Sequence, residues 1–321
     1  MGGMVSEASS PSHKVTLLAR GDHMRAMQAS RGIRLSVNQH DPRKKREMHC
    51  GNVNLVSSLA EAAQFGPFDF ILLTVKAHQI CDVALDWKTG LMNANTCIFT
   101  LQNGLPWWFF LGPDVKGRFA GRRISCLDPD GVLEAVFPAS QIVGGVALPA
   151  SYIAGPGHIV HESGWGFHLG HGHRAETLSR ILTQSGFDAP IKNIREELWI
   201  KVMGSAFFNP ASVLTGATLT QMTTFSPDTC RIAMDEVRAV ALSADCVIKV
   251  SNERRLEGAK RVGDHKTSML LDVEAGKVDL ELDALVTSVL EVASWTKVPT
   301  PTLSVIHSLV QLKQHVMKSK L

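Results

Sequence analysis

Apolar positions in the first two thirds of the chain gather into short, nearly continuous runs separated by polar, glycine-bearing segments. Lys14–Arg20 (KVTLLAR), Phe68–Lys76 (FDFILLTVK), Thr96–Leu101 (TCIFTL) and Gln141–Leu148 (QIVGGVAL) each read as a strand. Runs without polar alternation are what a parallel sheet covered on both faces requires. Gly157–Glu162 and Gly166–Gly170 read as a small hairpin or meander. Near residue 193 the period changes. From Ile194 onward apolar residues recur three and four apart, as in Val240–Ala244, Leu285–Val292 and Leu303–Leu312, with Pro299 and Pro301 between the last two. The pattern predicts an α/β chain: a doubly wound parallel sheet over residues 1–192, then an all-α domain over residues 193–321.

Composition narrows the classes. With 45% hydrophobic and 20% charged residues over 321 positions, the chain can bury the cores of two ordinary domains. The net charge of +3 is small and the basic residues are scattered, which argues against a nucleic-acid partner. Arg43-Lys44-Lys45-Arg46 is the one basic run, open to reading as an anion patch, a nuclear-localisation signal or a solvated loop. Six cysteines lie far apart with no CxxC pair, a usage that fits a reducing compartment. Neither a membrane-length apolar run nor a secretory h-region occurs, so a cytoplasmic protein is expected. His158, His161, His168, His171 and His173 are close in sequence but lack zinc spacing and any nearby cysteine or paired carboxylates, and no metal is expected there.

A doubly wound nucleotide-binding sheet opens with a strand, a glycine-rich turn and a helix whose N-terminus receives a pyrophosphate. This chain opens Met1-Gly2-Gly3-Met4, passes a polar stretch from Ser6 to Ser12, and enters Lys14–Arg20, which takes the second place in such a sheet. The first strand and most of its glycine turn are therefore expected to be truncated. Gly2 and Gly3 are either the tail of that turn or a plain start. Arg20 ends the second strand, where an acidic residue holds a ribose hydroxyl and an arginine accommodates a 2′-phosphate; a solvated arginine is the alternative. Lys76, in LLTVKAHQ, and Asn103-Gly104, in TLQNGLPWW, fall at two further strand ends, the edge at which α/β sheets bind ligands. A snorkelling lysine and a simple turn are the competing readings.

In the helical half, Glu197–Pro210 (ELWIKVMGSAFFNP) sets Lys201, Ser205 and Asn209 four apart, along one helix face. Pro210 is expected to end or kink that helix and leave Asn209 at its end. A lysine so placed can stabilise a developing alkoxide and donate a proton to it. Equally, Lys201 can be a surface lysine and Asn209 a cap.

Taken together, Val15–Gly21 (VTLLARG), Leu72–Gln79, Gln102–Trp108 (QNGLPWW), Glu197–Pro210, His265–Gly276 (HKTSMLLDVEAG) and Leu280–Leu285 (LELDAL) resemble the ketopantoate reductase (2-dehydropantoate 2-reductase) family, in family order over essentially the whole chain. The DPDG segment Asp128–Gly131 agrees. The resemblance implies a Rossmann-like domain and NADPH-dependent reduction of ketopantoate to pantoate, a precursor of pantothenate and coenzyme A. It also implies a small-molecule 2-oxoacid as partner and no membrane, with a homodimer left open. Carried over, Lys201 is the catalytic lysine and Glu281 its acidic partner. Arg20, Lys76 and Asn103 hold cofactor together with Gly2 and Gly3, while Asn103, Ser205, Asn209 and Ser268 contact substrate. Two departures stand out besides the missing glycine turn. Ser205 replaces a second substrate asparagine, and Glu281 lies one residue later after Ser268 than the family pattern. A non-catalytic or truncated family member, and a reductase of another branched 2-oxoacid, are the alternatives.

Overall fold

The computed structural model describes residues 13–37 and 46–320; Gly2, Gly3 and most of the basic run lie outside them. By its contacts the chain forms two units: Met1–Thr74, Asp82–Gln102 and Val136–Ile194 make the first, and Val75–Cys81, Asn103–Ala135 and Arg195–Leu321 the second. The long C-terminal segment of the second unit begins at Arg195. Two earlier segments, Val75–Cys81 and Asn103–Ala135, group with the helical residues, and hydrophobic periodicity along one stretch of chain could not reveal this.

Among the described residues the first unit holds ten strands: β1 (Thr16–Leu18), β2 (Ile33–Val37), β3 (Arg46–Cys50), β4 (Asn54–Val56), β5 (Phe70–Leu73), β6 (Cys97–Thr100), β7 (Ile142–Ala147), β8 (Ala150–Gly155), β9 (His158–Ser163) and β10 (Phe167–Leu169). β1 pairs parallel with β4; β5, β6 and β7 form a parallel ladder closed by antiparallel β10. β6 and β7 are buried along their whole length, which is why their sequences carry no polar alternation. Among the described residues no ladder joins β1–β4 to β5, the position at which a doubly wound order sets its first strand.

The strands are shorter than the sequence suggests. β5 ends at Leu73, so Lys76 lies beyond it, at the start of a 3-10 turn, Ala77–Gln79. The expected pairing of Gly157–Glu162 with Gly166–Gly170 is not observed. β9 joins β8 and β2, whereas β10 joins β7, because Phe167 and Leu169 bury their side chains in the core around Phe99 and Val143. Of the histidines, His158 bonds Ser36 through Nε2 at 2.6 Å, buried His161 bonds the Gly164 carbonyl at 2.6 Å, and His173 bonds the Asn95 carbonyl at 3.1 Å.

Two helices of this unit are α1 (Gly21–Ser30), which directly follows β1 and Arg20, and α2 (Ala175–Gln184). The second unit is built on α3 (Ile194–Thr215), α4 (Leu219–Phe225), α5 (Pro227–Ser243), α6 (Asn252–Val262), α7 (Ser268–Glu274), α8 (Ser288–Thr296) and α9 (Pro301–Lys318). The expected stop at Pro210 does not occur: α3 runs through it to Thr215, and Asn209 is interior. Proline removes one backbone donor. Burial of Ala211, Ser212 and Val213 beyond it, and of Trp199, Val202, Met203 and Ala206 before it, outweighs that loss. No helix of the described residues is long and apolar enough to cross a membrane, and none of the six cysteines forms a disulfide.

Candidate active site

α3 is enclosed on nearly every side. From Lys201 to Pro210 every residue is buried except Lys201, Ser205 and Asn209. The four-residue spacing therefore marks the strip that solvent or a ligand can reach along this middle stretch of the helix. Ser205 donates its hydroxyl back to the Lys201 carbonyl at 3.0 Å, satisfying itself within the helix. Among the described residues the Asn209 amide has no hydrogen-bond partner, and its carbonyl accepts from the Ser212 hydroxyl at 2.8 Å.

The same Ser212 hydroxyl meets the Thr267 hydroxyl at 2.5 Å, and Thr267 caps α7 by accepting from Leu270 N–H at 3.3 Å. This pair of hydroxyls fixes the start of α7, and with it exposed Ser268, beside the second half of α3. One turn into α7, buried Asp272 receives two cations: Lys76 forms an ion pair with one oxygen, and Lys277 donates to the other at 2.8 Å. Asp272 lies inside a matched segment, yet sequence reasoning does not single it out; an aspartate at that helical position carries no local signal of two lysine partners.

Glu281 is buried, at 7% exposure, and its Oε1 accepts from the Ala77 backbone N–H at 3.3 Å. It immediately precedes a π-helical turn, Asp283–Thr287, that leads into α8. This turn also sets the Asn103-Gly104 loop. The Leu105 N–H donates to the Ala284 carbonyl at 2.9 Å, and a Cβ on Gly104 would stand 2.1 Å from that oxygen. Gly104 has φ +89, a left-handed conformation that glycine alone takes without strain. The glycine is thus demanded by both contact and backbone, and it holds Asn103 with an amide that makes no hydrogen bond among the described residues.

Electrostatics single out Lys201. Burial pushes its ammonium down to about 8; the Glu281 carboxylate opposes that, and the Arg255 guanidinium adds to it. Lys76 is also lowered by burial, with Glu281 opposing and Lys277 reinforcing. Lys201, Lys76 and Glu281 thus share one field. Arg255, on α6, is a further member that no sequence motif announces.

In the sheet unit Arg20 stands alone. It is exposed, extended at φ −133 and ψ 162, and directly precedes α1 just past the carboxyl end of β1. Among the described residues, no group of three or more His, Cys, Asp or Glu lies together as a metal site would require.

Residues 2–108 match the model of the ketopantoate reductase PanE/ApbA family, and residues 193–314 match that family's C-terminal model. The chain belongs to the ketopantoate reductase family. A 2-dehydropantoate 2-reductase of Mesorhizobium japonicum is 35% identical over 305 residues, spanning 92% of this chain and 89% of the relative. Among solved structures, a Ralstonia solanacearum protein provisionally described as a ketopantoate reductase is 30% identical with a TM-score of 0.86, covering 98% of this chain and 94% of that one. D-mandelate dehydrogenase, solved with NADH and anilino(oxo)acetate, shares the fold at a TM-score of 0.78 and 16% identity, over 99% of this chain and 95% of that one. A Rossmann-like sheet domain followed by a helical domain is common to the family, and with it the assignment to the oxidoreductases.

Proposed function

We propose that this chain is an NADPH-dependent 2-dehydropantoate 2-reductase, converting ketopantoate to pantoate for pantothenate and coenzyme A synthesis in the cytoplasm. The observation that carries this reading is the accessible strip along the buried middle of α3, headed by a lysine of depressed proton affinity in the field of a buried glutamate. Reduction of a ketone builds negative charge on oxygen and ends with its protonation. An ammonium with a pKa of about 8 is charged at neutral pH, yet releases its proton far more readily than an ordinary lysine. Lys201 Nζ therefore polarises the carbonyl and delivers the proton to the alkoxide oxygen. Glu281 keeps that ammonium charged despite its burial and accepts from the substrate hydroxyl. Asn103 and Asn209, whose amides are uncommitted, and Ser268 orient the substrate.

The residues present fit a nicotinamide nucleotide. Arg20 presents an exposed guanidinium at a strand end beside a helix start, and the turn at Gly21 is open, with no atom within 4 Å of where a Cβ would stand. Arg20 would take a 2′-phosphate, with Lys76 as a further cofactor contact. Bound NADPH supplies the hydride. The mandelate dehydrogenase complex with NADH and an oxo acid lends the same class of chemistry to this fold.

Ser205 favours a second reading. With its hydroxyl spent on the Lys201 carbonyl, it offers less to ketopantoate than an asparagine would, which suits a reductase of another branched 2-oxoacid. The test is a panel of 2-oxoacids, ketopantoate included, with consumption of NADPH and NADH followed by absorbance. Ketopantoate with NADPH is expected to give the highest kcat/KM. A higher value for a different acid selects the second reading, and no turnover of any acid overturns both.

A further inference from the structure

Arg255 is a half-buried cation that pairs with no carboxylate among the described residues. Its Nε is buried without a hydrogen-bond partner, and among the described residues the guanidinium makes no hydrogen bond or ion pair. Buried arginines are normally paired, because an unpaired interior charge is costly. The group is nonetheless held in place. Its Nη2 lies 2.9 Å from where a Cβ on Gly204 would stand, so the guanidinium rests on the bare backbone of α3. Gly204 is one turn on from Lys201 and adjacent to Ser205. The guanidinium is close enough to Lys201 to depress its proton affinity, so the two cations meet at one place on α3.

We propose that Arg255 is the carboxylate anchor of this site: seated over Gly204 one turn from Lys201, it binds the carboxylate of a 2-oxo monocarboxylic acid and thereby turns the neighbouring ketone toward the lysine. This rests on the reading of the site as a 2-oxoacid reductase and specifies how the acid end is recognised. A guanidinium fork matches a carboxylate bidentately, and an anion at this place offsets the mutual repulsion of Arg255 and Lys201. The arrangement also gives Ser205 a context. Where the family pattern has an amide beside the lysine, this chain has a hydroxyl turned back on its own helix, and Arg255 provides the donors.

The test uses the full chain and a non-reducible probe pair, oxamate and its uncharged counterpart oxamide, measured by calorimetry on the wild type, Arg255→Gln, Arg255→Lys and Gly204→Ala. Arg255→Gln should weaken oxamate by about 10- to 100-fold, the range for losing charge-assisted hydrogen bonds, and change oxamide by less than about threefold. Arg255→Lys should recover part of the loss. Gly204→Ala, which favours the helix but pushes the guanidinium off its seat, should fall between. Without ligand, Arg255→Gln should melt no lower than the wild type, since a desolvated charge is removed; a merely structural arginine would give a drop. In a reductase assay the loss should fall mainly on KM. Equal losses for oxamate and oxamide, unchanged oxamate affinity in Arg255→Gln, or no oxamate binding by the wild type would each overturn the proposal. Because oxamate binding needs no turnover, an Arg255-dependent result alongside inactivity toward ketopantoate keeps the anchor and retires only the ketopantoate reading.

Discussion

Replacing Lys201 with methionine should make the protein more stable and catalytically almost inert. Methionine keeps the length and packing of the side chain while removing the ammonium. The displacement of Lys201 from its ordinary 10.5 to about 8 corresponds to about 3 kcal/mol at neutral pH. Because the side chain remains partly accessible, solvent screening trims this to about 1–3 kcal/mol. The sign follows from proton binding. Between about 8 and 10.5 the unfolded chain holds a proton on Lys201 that the folded chain has released, so wild-type stability rises with pH across that window. The methionine variant lacks this term. Its advantage should be full below pH 8 and shrink as the pH climbs toward 10.5. Urea unfolding of both proteins from neutral to alkaline pH reads this directly. Turnover of the variant should fall by about two to four decades, the scale of a lost general acid. In the wild type, kcat/KM should decline as the pH rises through about 8. A variant less stable than the wild type at pH 7, with a difference flat in pH, would refute the buried-ammonium argument; near-normal turnover would refute the acid role.

Gly104→Ala should destabilise by about 2–4 kcal/mol, since it combines a clash with the Ala284 carbonyl and a left-handed φ; a loss under about 0.5 kcal/mol in urea unfolding would mean the loop yields freely. Arg20→Ala should weaken NADPH and leave NADH largely unaffected in fluorescence titrations, whereas equal weakening would assign Arg20 to structure. Ser205→Asn should lower KM for ketopantoate if the serine is a depleted form of the family's site; an unchanged or higher KM would point to a different 2-oxoacid.

Which parts of this architecture a reader of the chain can foresee follows from how far each signal reaches. The fully buried strands β6 and β7 announce themselves because burial on both faces erases polar alternation, and the Lys201–Ser205–Asn209 strip follows from helix geometry alone. Short β2, β3 and β4 do not announce themselves, their few residues being mixed with charges such as Arg34 and Arg46. Pro210 misleads because a local backbone rule ignores the burial that carries α3 past it. Arg255 and Asp272 are invisible for another reason. Each matters only through partners distant in sequence: the bare Gly204 backbone for one, Lys76 and Lys277 for the other. The grouping of Asn103–Ala135 with the helices is likewise a tertiary fact with no local pattern.

The π-helical turn at Asp283–Thr287 has a geometric consequence for Glu281. A wide turn accommodates one residue more than an α-helical turn, so everything before it is rotated by about 100° relative to an unbroken helix. Glu281 lies just before that turn, and the buried residues Ser288, Val289, Val292 and Ala293 of α8 lie just after it. Trimming the turn to regular α-helix would leave α8 seated in its core and swing the carboxylate a quarter-turn away from Lys201. The wide turn acts as a phase adjuster, allowing the packing face of one helix and the aim of one carboxylate to be set independently.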